Sequence, residues 1–182
     1  MGNSDADLMQ RWRAGDPSAF ALVVRRWEPA LARFLTRLAP ADRVPDLVQE
    51  TFLRVHRAGS GYRENGHFST WLFQIALNVA RDATRRARPV HPLPTEEPPA
   101  RGESAEVDFA RREVGERVSR AVAELPAALR EVIALRHDAG MNFEEMARQL
   151  GIPATTLKSR FAAALRRLRE SLRDLNDHGD LS

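Results

Sequence analysis

The feature that most constrains this chain is a proline-rich stretch, RPVHPLPTEEPPARGESAE, at residues 88–106. It holds five prolines and little apolar content. Proline withholds backbone donors, and so few apolar side chains cannot offset the entropy of ordering the segment. The stretch reads as a flexible linker. The sequence on either side must therefore bury its own apolar surface, and 182 residues leave room for two small domains.

Both sides read as helix. Period-2 runs bounded by turns are not evident, whereas apolar residues recur at three- and four-residue steps. Asp5 is expected to cap a short first helix carrying Leu8, Met9 and Trp12, which stops near Gly15. Asp16-Pro17 then reads as an N-cap followed by proline at the first helical position. Phe20, Val23, Val24, Trp27, Leu31, Phe34, Leu35 and Leu38 follow on one stripe, with Pro29 expected to kink or loosen that helix. A third helix spans about 43–57, with Val44, Leu47, Val48, Phe52 and Val55 as its apolar face. Gly59-Ser-Gly61 ends it. A fourth covers 68–88. Beyond the linker, Phe109, Val114, Val118, Val122 and Leu125 give one amphipathic helix, broken by Pro126. Leu129, Val132, Ile133 and Leu135 give the next, and two more lie at about 143–150 and 154–175. The expected fold is all-α: residues 1–88, a linker at 89–108, a second helical domain at 109–176 and a tail at 177–182.

Composition narrows the function. Cysteine is absent, so disulfides and thiolate metal sites are excluded. The longest strictly apolar run is Ala19 to Val24, and no basic-then-apolar leader opens the sequence, so a cytoplasmic protein is expected. The five histidines are scattered without paired metal-ligand spacing, and no glycine-rich phosphate loop occurs. Asp46 and Glu50 sit four apart on one helix and read as an exposed acidic face rather than a cation site. No catalytic set, cofactor or metal is expected.

The net charge of +3 is unevenly spread. Residues 1–88 carry 14 arginines against 9 acids, 89–126 carry 5 against 8, and 127–182 carry 9 bases against 8 acids. Two basic stretches separated by an acidic middle are either solvated faces or two contacts with a polyanion.

The strongest local motif is NFEEMARQLGIPATTLKSRFAAALRRLRESL, from residue 142. Asn142 is placed to cap, with acids in the first turn. Met146, Ala147 and Leu150 face inward, and small Ala147 allows a close helix crossing. Gly151 supplies the positive φ of a tight turn, Ile152 plugs it, and Pro153 prevents the first helix from continuing. Leu157, Phe161, Leu165 and Leu168 hold the second helix. This is helix-turn-helix spacing. Thr155, Thr156, Lys158, Ser159 and Ala162 would face a major groove, with Arg160, Arg166 and Arg167 set for phosphates or the surface.

The second informative stretch is FSTWLFQIALNVARDATRRAR, residues 68–88. Phe68, Trp71, Leu72, Ile75 and Val79 share an apolar face. At about 100° per residue, Trp71, Asn78, Asp82 and Arg85 share one flank of it. That flank turns polar and then basic without a helix breaker. Either the helix runs out of the core into water, or this side meets a charged partner.

Together with DLVQETFLRVHR (46–57), this stretch resembles region 2 of bacterial group IV, extracytoplasmic-function RNA polymerase sigma factors. LPAALREVIALRHDAGMNFEEMARQLGIPATTLKSRFAAALRRLRESL resembles their region 4. The likeness covers about residues 5–88 and 109–175, with the linker where the family has one.

The resemblance implies a sigma factor that binds core polymerase and directs promoter-specific initiation. Asp46, Leu47, Val48, Gln49, Glu50 and Phe52 match the stretch that docks on the β′ clamp helices. The loop from Tyr62 to His67, with Arg63, Glu64 and Asn65, matches the one that captures an unstacked −10 base. Trp71, Asn78 and Asp82 match the face beside the melted strand. Asp82 there accepts a hydrogen bond from a base or holds a neighbouring arginine. Arg81, Arg85, Arg86 and Arg88 would track phosphates, and Lys158 and Ser159 match −35 reading positions. The chain departs from the family in having Thr155 where glycine is frequent, and Ala162 and Ala163 where bulky or basic residues are frequent. Implied partners are core polymerase (β′ clamp helices and β flap), promoter DNA and an anti-sigma factor, without membrane insertion. The rival reading is a helix-turn-helix regulator with a sensor domain. It accounts for 142–170 equally well, but not for the loop and arginine-rich helix at 62–88.

Overall fold

The computed structural model describes residues 4–59, 67–86 and 105–173, with side chains of the last stretch from 114 onward. Expectations for Tyr62, Arg63, Glu64, Asn65, Arg88, most of the linker and the tail fall outside the described residues. Within them the fold is all-α: α1 Asp5–Arg13, α2 Pro17–Thr36, α3 Val44–Ala58, α4 Phe68–Arg86, α5 Ala105–Ala123, α6 Ala127–His137, α7 Phe143–Leu150 and α8 Ala154–Ser171. A 3-10 turn at Ala41–Arg43 leads into α3.

Local chemistry sets the helix starts. Asp16 caps α2 by accepting the Ser18 amide at 3.0 Å, and Pro17 occupies the first turn, where its missing N–H costs nothing. The α1 cap is Ser4 rather than Asp5. Ser4 Oγ accepts the Asp7 amide at 3.1 Å, and Asp7 reaches back to the Ser4 amide in a capping box. Asp5 is thereby free for tertiary work: its carboxylate accepts from Arg26 at 2.7 Å and from the Trp27 indole at 3.1 Å, tying α1 to α2. Helix α2 continues through Pro29. Pro29 and Arg25 are both exposed, so the Arg25 carbonyl left without its usual donor lies on the solvent side.

The four N-terminal helices enclose Leu8, Met9, Leu31, Phe34, Leu35, Leu72, Phe73 and Leu77, all 1% exposed or less. Phe73 packs on Phe34 with ring centroids 4.9 Å apart. Gly59, just past α3, has ordinary right-handed φ. Its role is space, because a Cβ there would lie 2.0 Å from Cζ3 of Trp12. That contact pins α1 against the end of α3.

Helices α6–α8 add Val132, Leu135, Met146 and Leu157 to the same apolar cluster, and the α6–α7 connection adds Met141, so the two units are in contact. A second small cluster of Leu125, Ile133 and Ala164 lies under α8. Helix α5 starts at Ala105, inside the range expected to be linker. Val114, expected to face inward on α5, is 46% exposed.

Candidate nucleic-acid and polymerase interface

Helix α4 turns Phe68, Leu72, Phe73, Ala76, Leu77, Val79 and Ala80 into the core. What remains outside is the flank Trp71, Asn78, Asp82 and Arg85. Trp71 is half-buried, its ring 5.8 Å from Phe68. Asn78 and Arg86 are exposed, as is His67 just before the helix.

The charges on this flank are engaged. Asp82 Oδ2 accepts from Arg54 Nη1 at 2.8 Å, and Oδ1 accepts from Arg85. Of the two roles open for Asp82, the structure displays the second, holding neighbouring arginines. These hydrogen bonds, Arg54 first and Arg85 second, hold the Asp82 carboxyl below its ordinary pKa. Arg54 Nε also donates to Glu50 Oε1 at 2.8 Å, one turn back on α3. Its guanidinium is raised above its ordinary pKa by the same two carboxylates, Asp82 ahead of Glu50. One chain of charges, Glu50–Arg54–Asp82–Arg85, thus crosses from α3 to α4. Arg81 points elsewhere: its Nε and Nη2 donate to both oxygens of Glu131 on α6, at 2.8 and 2.6 Å.

On α3 the expected docking residues divide. Asp46 and Gln49 are exposed and Glu50 is half-buried. Leu47, at 5% exposure, lies in the core stripe. Val48 and Phe52 are largely covered but line a groove of about 510 Å³ between α2 and α3, together with Phe20, Val24, Gln49 and Leu53. Leu53, absent from the expected set, is 44% exposed. Its helical register predicts this: Asp46, Gln49 and Leu53 share a stripe at i, i+3 and i+7.

The helix-turn-helix forms as its spacing implies. Asn142 Oδ1 accepts the Glu145 amide at 2.8 Å, and Glu145 returns a bond to the Asn142 amide at 2.8 Å. Gly151 sits at φ 65°, in the left-handed region that glycine enters without penalty. On α8, Leu157 is buried, whereas Thr155, Lys158, Ser159, Ala162 and Arg166 are exposed and Thr156 and Arg160 half-buried. Lys158 Nζ donates to Glu144 Oε1 at 3.3 Å and lies 5.9 Å from the Phe143 ring centroid. The Glu144 carboxyl is held below its ordinary pKa by its own backbone amide at the helix start and, next, by Lys158. Ser159 Oγ donates to the Thr156 carbonyl at 2.8 Å.

Sequence reasoning missed Arg54, Arg37, Glu131 and Asp138. The Glu50/Arg54 spacing of four was visible. The others pair across the fold, without a local signal.

The chain thus forms two helical units, one with an arginine-rich helix beside an acid-edged helix and one with a helix-turn-helix. The family models that match are Sigma-70 region 2 at residues 23–90 and Sigma-70 region 4 at residues 115–168. The ECF RNA polymerase sigma-E factor of Salmonella typhimurium is 33% identical over 172 residues, covering 88% of this chain and 90% of that protein. The Haemophilus influenzae sigma-E factor is 28% identical, covering 94% and 97%. Among solved structures, CnrH in complex with the cytosolic domain of CnrY superimposes with a TM-score of 0.69 at 28% identity, over 95% of this chain and 99% of that one. The sigma factor RpoE from Bartonella quintana, solved with the anti-sigma factor NepR, gives 0.66 at 27%, over 80% and 91%. The chain belongs to the ECF RNA polymerase sigma factors of the sigma-70 family.

Proposed function

We propose that the chain binds core RNA polymerase through α3 and its groove, reads the −35 element with α8, and holds the opened −10 strand against α4. The observation that supports this is the Glu50–Arg54–Asp82–Arg85 chain, in which an acidic edge of α3 and a basic edge of α4 meet side by side. Exposed Asp46 and Gln49 beside the apolar groove suit a basic helical hairpin. Opening duplex DNA and unstacking a base costs a few kcal/mol. Asn78, the Trp71 face and the loop 62–67 recover that by holding extruded bases, while Arg85 and Arg86 neutralise phosphates. Lys158, Thr155 and Ser159 supply base-edge and phosphate contacts from the groove helix. Tethering raises the effective concentration of each unit on a promoter. The chain acts by binding and makes no bond itself. The sigma factor RpoE from Bartonella quintana, solved with the anti-sigma factor NepR, supports an anti-sigma partner for this chain as well.

Run-off transcription with core polymerase tests the reading. Core polymerase supplied with this chain initiates specifically, and Asn78→Ala reduces permanganate reactivity at the −10 element while −35 protection persists. Tight duplex binding by the chain alone, without any specific initiation, would instead make it a free-standing regulator.

A further inference from the structure

Lys158 is the only lysine in the chain. Of the α8 positions expected to face a groove, Thr155, Thr156, Ser159 and Ala162 carry short side chains, so Lys158 alone reaches far from the helix. A lysine stem samples many rotamers, and an unguided ammonium ion is a poor reader of one base. The neighbouring helix supplies the guidance. Asn142 caps α7 and sets Phe143 and Glu144 in its first turn. Glu144 Oε1 accepts from Lys158 Nζ at 3.3 Å, and the Phe143 ring centroid lies 5.9 Å from the same nitrogen. The ring is itself fixed. It meets Phe161 of α8 edge-on, with centroids 5.7 Å apart, and it takes the Arg136 guanidinium of α6 at 5.7 Å. Arg136 is in turn tied through Nη1 to the Met141 carbonyl at 3.1 Å. Three helices thus meet at one ring, and that ring and one carboxylate direct the lysine. The hold is weak, because the Lys158 and Glu144 side chains are 54% and 60% exposed. A weak hold can orient the ammonium without withholding it from DNA.

We propose that Phe143 and Glu144 are positioning residues for −35 specificity: from the start of α7 they aim Lys158 at one base pair. The inference deepens the −35 reading proposed above and rests on it. An ammonium ion has three donors, and Glu144 takes one, leaving two for the O6 and N7 acceptors of a guanine. Restricting the stem beforehand lowers the ordering cost of that contact. A base pair that presents a donor at the same spot meets the aimed ammonium unfavourably, so the gain goes to the right sequence. The Glu144 carboxylate also sets a negative charge near the duplex. It therefore weakens binding to any DNA while sharpening the choice among sequences.

Discrimination is read as the ratio of affinities for promoter duplexes that differ at one −35 base pair, with the full chain bound to core polymerase. Lys158→Met sets the reference by lowering the ratio at a single position. Glu144→Ala raises the net charge by one, which on bulk electrostatics tightens binding to every duplex alike. Positioning requires in addition a fall in the ratio at the Lys158 position of about two- to fivefold, the scale of one exposed ion pair or cation–π contact. Glu144→Gln has the same charge as Glu144→Ala but keeps an acceptor, and loses less. Phe143→Leu keeps an apolar side chain against Phe161 without the π face and loses a similar factor, whereas Phe143→Tyr keeps the ratio. In the Lys158→Met background none of these changes moves the ratio further. The single lysine also gives a direct readout in the free chain. Isotope-labelled lysine shows one ε-methylene signal, displaced by the Phe143 ring current, and Phe143→Leu returns it to the free-lysine position. A uniform gain in affinity with unchanged ratios in Glu144→Ala overturns the positioning role, as does a loss spread over all −35 positions in Phe143→Leu. Both leave −35 reading by Lys158 standing. If Lys158→Met itself leaves every ratio unchanged, the −35 reading fails and the positioning role falls with it.

Discussion

The two helices that carry the basic faces are held in opposite ways. Helix α4 lies on a deep core and is anchored by Leu72, Phe73, Ala76 and Leu77, all but fully buried. Of its four charged side chains, three are already engaged: Arg81 with Glu131, and Asp82 with Arg54 and Arg85. Helix α8 buries Leu157 and Ala164 and presents Thr155, Lys158, Ser159 and Arg166 to solvent. Lys158 has a partner in Glu144, but both are more than half exposed, a pair worth little in water. One face is firmly built and electrostatically occupied, the other lightly built and open. The side chains on α8 proposed for −35 reading thus stand clear of strong partners, whereas those on α4 proposed for strand contact already hold ion pairs.

The largest effects come from attacking the supports. Phe73→Ala removes a ring packed on Phe34 and Trp27, at a cost of about 3–5 kcal/mol, a large part of a typical domain's stability. Leu157→Ala costs about 2–5 kcal/mol and falls on the thinner unit. Denaturant unfolding combined with core-polymerase pull-down separates the two. Phe73→Ala is expected to lose polymerase binding and promoter opening together. Leu157→Ala is expected to lose −35 protection while pull-down persists. Equal loss of pull-down in both would mean that the shared apolar cluster makes them one cooperative body, and the contrast would fall.

What the sequence revealed follows the range of the forces involved. The caps at Asp16 and Asn142 and the turn at Gly151 were legible because each acts within three residues of itself. Choosing Asp5 over Ser4 as a cap failed on a one-residue ambiguity, and the carboxylate left over serves Arg26 and Trp27 on α2. Leu47 was legible as core from its stripe, and only 5% of it is left for a partner to touch. Val114 matched a helical period, but period alone does not say whether a neighbour covers that face. Glu131 and Asp138 were illegible because their arginines lie 50 and 101 residues away. Electrostatic pairing across a fold leaves no periodicity to read.

An intermediate effect sharpens the contrast between the faces. Lys158→Met removes one donor from the open face, so discrimination at one −35 base pair falls by about 1–3 kcal/mol, with little change elsewhere in the site. Arg85→Met on the occupied face weakens strand binding irrespective of sequence and lowers the salt slope by about 0.7 for a single strand. Competition binding across single-base promoter variants at two salt concentrations measures both. A sequence-specific loss for Arg85→Met would reverse their roles.

The smallest effect concerns acid. Helix α2 is capped by a titrating group, Asp16, and α7 by Asn142, which does not titrate. The hydrogen bond from Ser18, and next that from Arg11, hold the Asp16 carboxyl down at about 2 from an ordinary 3.8. A carboxyl whose folded pKa lies below its unfolded value lends stability that is fully present above the unfolded value. That stability is lost as pH falls through the folded one. The window is therefore from about 4 down to about 2, and the junction of α1 and α2 is where acid acts. Asp7, Asp82 and Glu144, shifted in the same direction, leave a residual acid limb. Asp16→Asn keeps a competent cap and removes the titration. Thermal melts between pH 6 and pH 2.5 should show a shallower acid limb for Asp16→Asn than for the unsubstituted chain. Identical limbs for the two proteins would move the acid-sensitive joint away from Asp16, and with it the claim that the firmly built unit is the one acid opens first.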